Sequence, residues 1–226
     1  EGADENCQPD SQFDTDFQGL YLAIEQPDGQ FLEEHGMADG NFYKIEAYAG
    51  ESNNQGPTQP SNRSDVRDFI NGFRNATPDA DWWRANIDVD RALSYHSITE
   101  AIHHYDIAYG KNYYYYHNPD TGLFEVHPWD LDLTWADNMY GNGQHNILQK
   151  LCKREPFNVD YQNRMREIVD LLYNPEQTGM LIDEMAAVVY QPGQPSFVDA
   201  DRAMWDYNPI LRSPRHVNSS KAGHGR

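Results

Sequence analysis

The sequence predicts an α+β fold, a single domain over residues 17–226 behind a poorly ordered acidic lead-in at 1–16. Three observations carry this. Short segments of period-two hydrophobicity occur near the start and again around residue 115, and segments of helical period fill the remainder. The order is strands, helix, helix, hairpin, helices, without the strict strand–helix alternation of a parallel sheet. Finally, 15 Tyr, 9 Phe and 5 Trp in 226 residues supply core-forming side chains that disordered acidic chains lack.

The first strand signal is Gly19–Glu25 (GLYLAIE), with Leu20, Leu22 and Ile24 on one face. The second, Asn41–Ala47 (NFYKIEA), sets Phe42, Lys44 and Glu46 opposite Tyr43, Ile45 and Ala47. QPDGQ between them has turn chemistry, and residues 50–63 form a Gly/Pro/Asn/Gln loop. Ser64 is placed to cap a helix whose apolar stripe is Val66, Phe69, Ile70 and Phe73. Asp88 or Asp90 caps the next, with the stripe Tyr95, Ile98, Ile102 and Tyr105. Lys111–Tyr116 and Leu123–His127 read as strands joined by His-Asn-Pro-Asp-Thr-Gly, a hairpin connection. A Gly/Asn-rich stretch covers 137–146. Tyr161, Met165, Ile168 and Leu172 then mark a third helix. Asn174-Pro175 opens a fourth, with Leu181, Met185 and Val188 on its apolar face. The last 35 residues are Pro-rich and poorly periodic.

Lys plus Arg number 17 and Asp plus Glu 36, a formal net charge of −19. Such a field repels a phosphate backbone, so no nucleic-acid partner is expected. An anionic substrate then needs local cations or a bound metal. No run approaches the roughly 20 apolar residues of a membrane helix, so no membrane span is expected, and EGADEN has neither the basic start nor the apolar stretch of a signal peptide. The two cysteines, Cys7 and Cys152, fit a disulfide or two reduced thiols equally well. His96, His103, His104, His117 and His127 raise a transition-metal site, although adjacent histidines on a helix diverge by about 100°. No G-x-S-x-G, H-E-x-x-H or GxxxxGK[ST] string occurs, which removes the common serine-hydrolase, zincin and P-loop chemistries.

The most informative segment runs from Asp106 to Asp132, DIAYGKNYYYYHNPDTGLFEVHPWDLD. An acidic residue follows a helix end, an Asn comes six positions later, and a hairpin returns to two carboxylates. Phosphoryl transfer needs a carboxylate to orient or accept the proton of an attacking hydroxyl, and oxygen ligands that hold Mg²⁺ against nucleotide phosphates. Protein kinases lay those parts out in this order. In Asp130-Leu131-Asp132 the two carboxylates point the same way if the segment is extended. The competing readings are a helix-end surface residue for Asp106 and a solvated acidic pair for the others.

GLYLAIEQPDGQFL, DGNFYKIEAY, NIDVDRALSYHSITEAIHHYD and GKNYYYYHNPDTGLFEVHPWDLDLTW, in that order over about residues 17–135, resemble the CotH family of spore-coat-H-like atypical protein kinases. The resemblance implies an atypical protein-kinase-like fold, with partial N-terminal-lobe strands and a mostly helical C-terminal part. It implies Mg²⁺- or Mn²⁺-dependent transfer of the ATP γ-phosphate to Ser/Thr hydroxyls of a coat or surface protein, in an extracellular or cell-surface bacterial setting. Position by position, Asp106 matches the catalytic-loop aspartate, Asn112 a metal-holding Asn, and Asp130 the metal ligand of the W-D-x-D motif, with Asp132 a second ligand or helper. Lys44 matches the lysine of the YK strand that neutralises nucleotide phosphates, and Glu25, at the end of the first strand, is either unassigned or a surface partner of Lys44. Family members carry a long N-terminal part with a Gly-rich, basic strand-turn-strand, whereas here about 18 acidic residues precede the first strand, so a fragment or an incomplete nucleotide site is expected. Two alternatives remain open: a non-catalytic surface or coat binding module that keeps the fold, and a polysaccharide-active protein with two carboxyls about 5–9 Å apart beside stacking aromatics.

Overall fold

The computed structural model describes residues 19–74, 76–107, 110–134, 146–190, 192–194 and 196–204. Among them lie eight helices and a four-stranded antiparallel sheet, so the mixed α and β content expected from the sequence is present. The chain divides into two compact units. One is Glu25–Asp170, and the other gathers residues 1–24 and 171–226.

The sheet belongs to the first unit. Its strands are β1 (Asn41–Glu46), β2 (Ala49–Asn54), β3 (Tyr113–His117) and β4 (Phe124–Pro128), in the order β2-β1-β3-β4. Period-two alternation gives the sheet two apolar faces. Tyr43, Ile45, Tyr113, Tyr115, Phe124 and Val126 join the main core, while Phe42, Tyr114 and Tyr116 form a second cluster with Leu32. In register, Lys44 stands opposite Tyr114, which places it on the second face. The β1–β2 turn is Ala47-Tyr48, both at positive φ (50° and 64°), the mirror-image turn that matches strand twist.

Helix α1 (Gly29–Glu34) is capped by Asp28, whose carboxylate accepts from the N–H groups of Gln30 and Phe31. The QPDGQ segment therefore starts a helix rather than only turning the chain. Helix α2 (Ser64–Arg74) buries Val66, Phe69, Ile70 and Phe73, as the spacing predicts, and Asn62 rather than Ser64 supplies the side-chain acceptor at its start. Phe69 stacks on Phe124 at 4.2 Å and meets Tyr115 edge-on at 5.1 Å, which locks α2 to the sheet. Helix α3 (Ala80–Asn86), capped by Asp79, inserts the fully buried Trp83. It had no signal in the periodicity because seven residues complete only two turns. Asp88 caps α4 (Val89–Ala101), which buries Ala92, Leu93, Tyr95 and His96. Ile98 is 42% exposed, so the buried stripe is rotated from the one expected. Helices α5 (Asn146–Cys152) and α6 (Phe157–Leu171) follow.

Three further expectations are corrected. Residues 19–27 form no strand, and Leu22 is 84% exposed: alternation alone does not make a strand without a ladder partner. The loop expected at 50–63 begins as β2, whose polar residues pair with β1. Helix α7 (Pro175–Ala187) is capped by Asn174 as expected but buries no residue, and Leu181, Met185 and Val188 are exposed. A short α8 (Phe197–Met204) lies in the Pro-rich end. Residues 1–16 and 137–145, and Cys7, lie outside the described residues. Cys152 is a buried free thiol whose pKa burial pushes up to about 12. Among the described residues no helix is long and apolar enough to cross a membrane.

A buried polar network fastens the 55–63 loop to the sheet. The Asn41 amide donates to the Tyr43 hydroxyl (2.7 Å), the Pro60 carbonyl (3.0 Å) and Asp65 (3.0 Å). Tyr43 Oη donates to the other Asp65 oxygen at 2.7 Å, and His117 Nδ1 lies 2.8 Å from Asp65. Burial alone would raise the Asp65 pKa. The hydrogen bonds from His117, Asn41, Tyr43 and the Val66 N–H outweigh it and hold it at about 2.

Candidate active site

The site is assembled where α4 ends and where β4 ends. Ile102 closes α4, His103 takes the left-handed conformation (φ 51°), and the His104 N–H bonds back to the Thr99 carbonyl at 2.9 Å. The reversed chain enters a 3-10 turn, Tyr105–Ile107, that carries Asp106. Gly110 and Asn112, at φ 67° and 64°, then bend the chain into β3. Gly110 cannot be replaced freely. Its carbonyl accepts from the Tyr48 N–H at 2.9 Å, and a Cβ there would collide with the Tyr48 ring.

Asp106 is held from two directions. Lys111 Nζ lies 2.7 Å from one carboxylate oxygen, and Asn112 Nδ2 donates to the other at 2.9 Å and to the Asp106 carbonyl at 2.8 Å. Asp106 and Asn112, six positions apart, are brought together with Gly110 and Asn112 in left-handed conformations. Because both donors of the Asn112 amide face Asp106, its oxygen is the atom left to meet a cation. Lys111 was read only as the start of a strand. A lysine directly before the Asn was the signal that could have marked it.

At the end of β4, Trp129 packs edge-on against Tyr114 at 5.3 Å and lies under the Lys44 ammonium at 5.8 Å. Asp130 follows at φ 58°, so the segment is not extended and the chain turns there. Thr134 Oγ1 closes the turn on the Leu131 carbonyl at 3.2 Å. The Asp130 carboxyl is pushed above its ordinary value by burial, then by the charge of Asp132 and a hydrogen bond to it, and by the charge of Asp106, while Lys44 opposes the rise. These four groups thus share one electrostatic neighbourhood, with carboxylates in excess. His104, buried with its pKa lowered mainly by burial, brings Nδ1 to 3.4 Å from the Leu133 carbonyl and backs the same segment. Sequence reading treated it only as a metal-ligand candidate.

Lys44 Nζ also lies 3.5 Å from Glu46. Glu25 pairs instead with His35, at 3.0 Å, so the pairing with Lys44 is not made. Among the described residues no three His, Cys, Asp or Glu side chains converge to hold a metal, which removes the histidine-rich site from them. Two carboxylates and one amide oxygen nevertheless suit Mg²⁺, which takes one or two carboxylates and completes its octahedron with substrate phosphates and water. The crowding of Asp130 by Asp132 is the charge imbalance such a cation would relieve.

The CotH kinase protein family matches residues 10–208. Inner spore coat protein H of Bacillus subtilis (strain 168) is 26% identical over 190 residues, covering 70% of this chain and 52% of that protein. The chain therefore spans about half the length of this curated relative. The segment that carries the paired Asp106 and Asn112 and the turn at Asp130 lies within the matched region, and the chain belongs to the CotH family.

Proposed function

We propose that this chain is a CotH-type protein kinase, transferring the ATP γ-phosphoryl group to Ser or Thr hydroxyls of a coat or surface protein. The observation that carries the reading is the fixing of Asp106 by Asn112 and Lys111 beside the Asp130–Asp132 pair and Lys44. In this role Asp106 orients the acceptor hydroxyl and takes its proton. Asn112 holds the Asp106 carboxylate in place, and Lys111 balances its charge. The Asn112 amide oxygen, Asp130 and Asp132 would hold Mg²⁺ or Mn²⁺, and Lys44 would neutralise the nucleotide phosphates. When bound, the ion neutralises phosphate charge that this acidic chain otherwise repels. The acceptor protein lies in the coat or at the cell surface, by the name of the relative.

The test is phosphoryl transfer to a Ser/Thr protein or peptide pool with labelled ATP and Mg²⁺. Transfer should be present in the natural chain and absent in Asp106→Ala, with ATP binding retained in the variant. Equal transfer in both would remove Asp106 from the mechanism. A second reading, a non-catalytic coat-binding module, is favoured by the relative's being named a coat protein. That module would bind its partner equally well after Asp106→Ala and show no transfer in either chain. The Tyr113–Tyr116 run offers the polysaccharide reading no stacking platform, since all four are buried.

A further inference from the structure

We infer that a cleft between α2 and the β1–β2 turn is a binding site for a phosphomonoester dianion, distinct from the Asp106 site. The cleft measures about 250 Å³ and is lined by Arg63, Arg67 and Arg74, by Val66 and Ile70 on its apolar floor, and by Tyr48. In a chain of net charge −19, three of the 17 basic residues meet at one concavity, and no Asp or Glu is among its lining residues. The arrangement follows from helical geometry. Arg67 and Arg74 stand at i and i+7 on α2, one stripe beside the apolar stripe that buries Val66 and Phe69, and Arg63 immediately precedes the first turn.

None of the three guanidinium groups is used up by the fold. Arg63 sits at φ 58°, a conformation seldom taken by a residue with a Cβ, and spends one donor on the Gly50 carbonyl at 3.1 Å. Among the described residues Arg67 pairs with its neighbour Asp68, through Nε at 3.5 Å, with both side chains largely exposed. Arg74 lies 4.6 Å over the Tyr48 ring, which orients its plane without consuming its donors. Each guanidinium has five N–H donors in a fixed fork. A phosphomonoester offers three terminal oxygens and close to two negative charges, one oxygen for each fork, whereas a carboxylate offers two oxygens and one charge. Tyr48 also donates its backbone N–H to Gly110, so an occupant of the cleft rests on the residue that braces the Asp106 loop. The phosphomonoester is either a phosphorylated side chain of a protein or a small phosphate in solution.

The test uses the full 226-residue chain without nucleotide or metal, so its outcome is independent of the kinase reading. A phosphoserine peptide, its unphosphorylated twin and inorganic phosphate are each titrated by calorimetry. Saturable binding of a phosphomonoester, weakened about tenfold or more by R63Q/R67Q and unchanged in D130N, is expected. If the double variant does not fold, R67Q alone, whose side chain is exposed, should still weaken binding several-fold. A peptide that binds more tightly than inorganic phosphate identifies a phosphorylated protein as the source, and equal affinities identify a small phosphate. Absence of binding by every phosphomonoester, equal binding of the unphosphorylated twin, or affinity untouched by the arginine substitutions would overturn the assignment.

Discussion

Asp106 has both carboxylate oxygens engaged before any substrate arrives, one by Lys111 and one by Asn112. Under the kinase reading, Asp106→Ala should cut transfer by about 10²–10⁴-fold, the usual contribution of a positioned proton acceptor, while the variant stays folded at the assay temperature. Asn112→Ala removes both the hold on Asp106 and the amide oxygen offered to the metal, so it should lower transfer and weaken Mg²⁺-dependent ATP binding together; unchanged transfer, measured in the same assay, would contradict both roles. Asp65 gives a different prediction, about stability. Its folded pKa of about 2 lies below the ordinary 3.8, so its contribution is fully present above about pH 4 and is lost as pH falls toward 2. The shift corresponds to roughly 2 kcal/mol, and Asp65→Asn should lower the neutral-pH unfolding free energy by about that much and flatten the acid limb. Urea unfolding at stepped pH reads both effects. The approach of Asn112 to Asp106, and of Asp130 to the same neighbourhood, was legible because chain order alone can mark a helix-end Asp, an Asn and a returning Asp. His104 and the Asp65 network were not, because contacts such as His104 to Leu133 and Asp65 to His117 bridge 29 and 52 residues and leave no local spacing, whereas Lys111 did carry a local signal beside Asn112.

At the scale of elements, α2 is held at both ends. Lys150, on α5, donates to the carbonyls of Phe73 (2.7 Å), Arg74 (3.1 Å) and Ala76 (3.4 Å), where the helix dipole is negative. Lys150→Met should lower stability by about 1–2 kcal/mol, seen as a shift of the denaturant midpoint with unchanged m-value. Phe69→Ala removes the ring between α2, Phe124 and Tyr115 and should cost about 3–5 kcal/mol. A loss within 1 kcal/mol would place the main core elsewhere. The strands β1, β3 and β4 and the helices α2, α4, α6 and α7 were readable because each shows several turns or alternations of one period. Helices α1 and α3 escaped by shortness, and β2 by polarity: Ala49–Asn54 is held by its ladder with β1 rather than by an apolar face. The opposite error occurred at Gly19–Glu25, where an alternating pattern forms no strand.

For the whole molecule, net charge −19 makes cations local and therefore informative, whether at Lys44 and Lys111 or along α2. Acid stability is set in part by two histidines kept neutral. His96, lowered by burial and Lys153, and His127, lowered by burial, Arg91 and His35, both have folded pKa values of about 4. The unfolded chain protonates them near 6.5, so the stability they permit is complete above pH 6.5 and drains away as pH falls to about 4. The unfolding midpoint should fall over that window, and fall less in His96→Gln and His127→Gln; a flat profile would contradict their neutrality. The central claim, that the Asp106–Asp130 region is a metal-dependent nucleotide site, is tested most directly by calorimetric titration with ATP. The natural chain and Asp130→Asn are each titrated in Mg²⁺ and again in EDTA. Binding that requires Mg²⁺ in the natural chain and disappears in Asp130→Asn is predicted. No binding by the natural chain, or equal affinity in the variant, would contradict it.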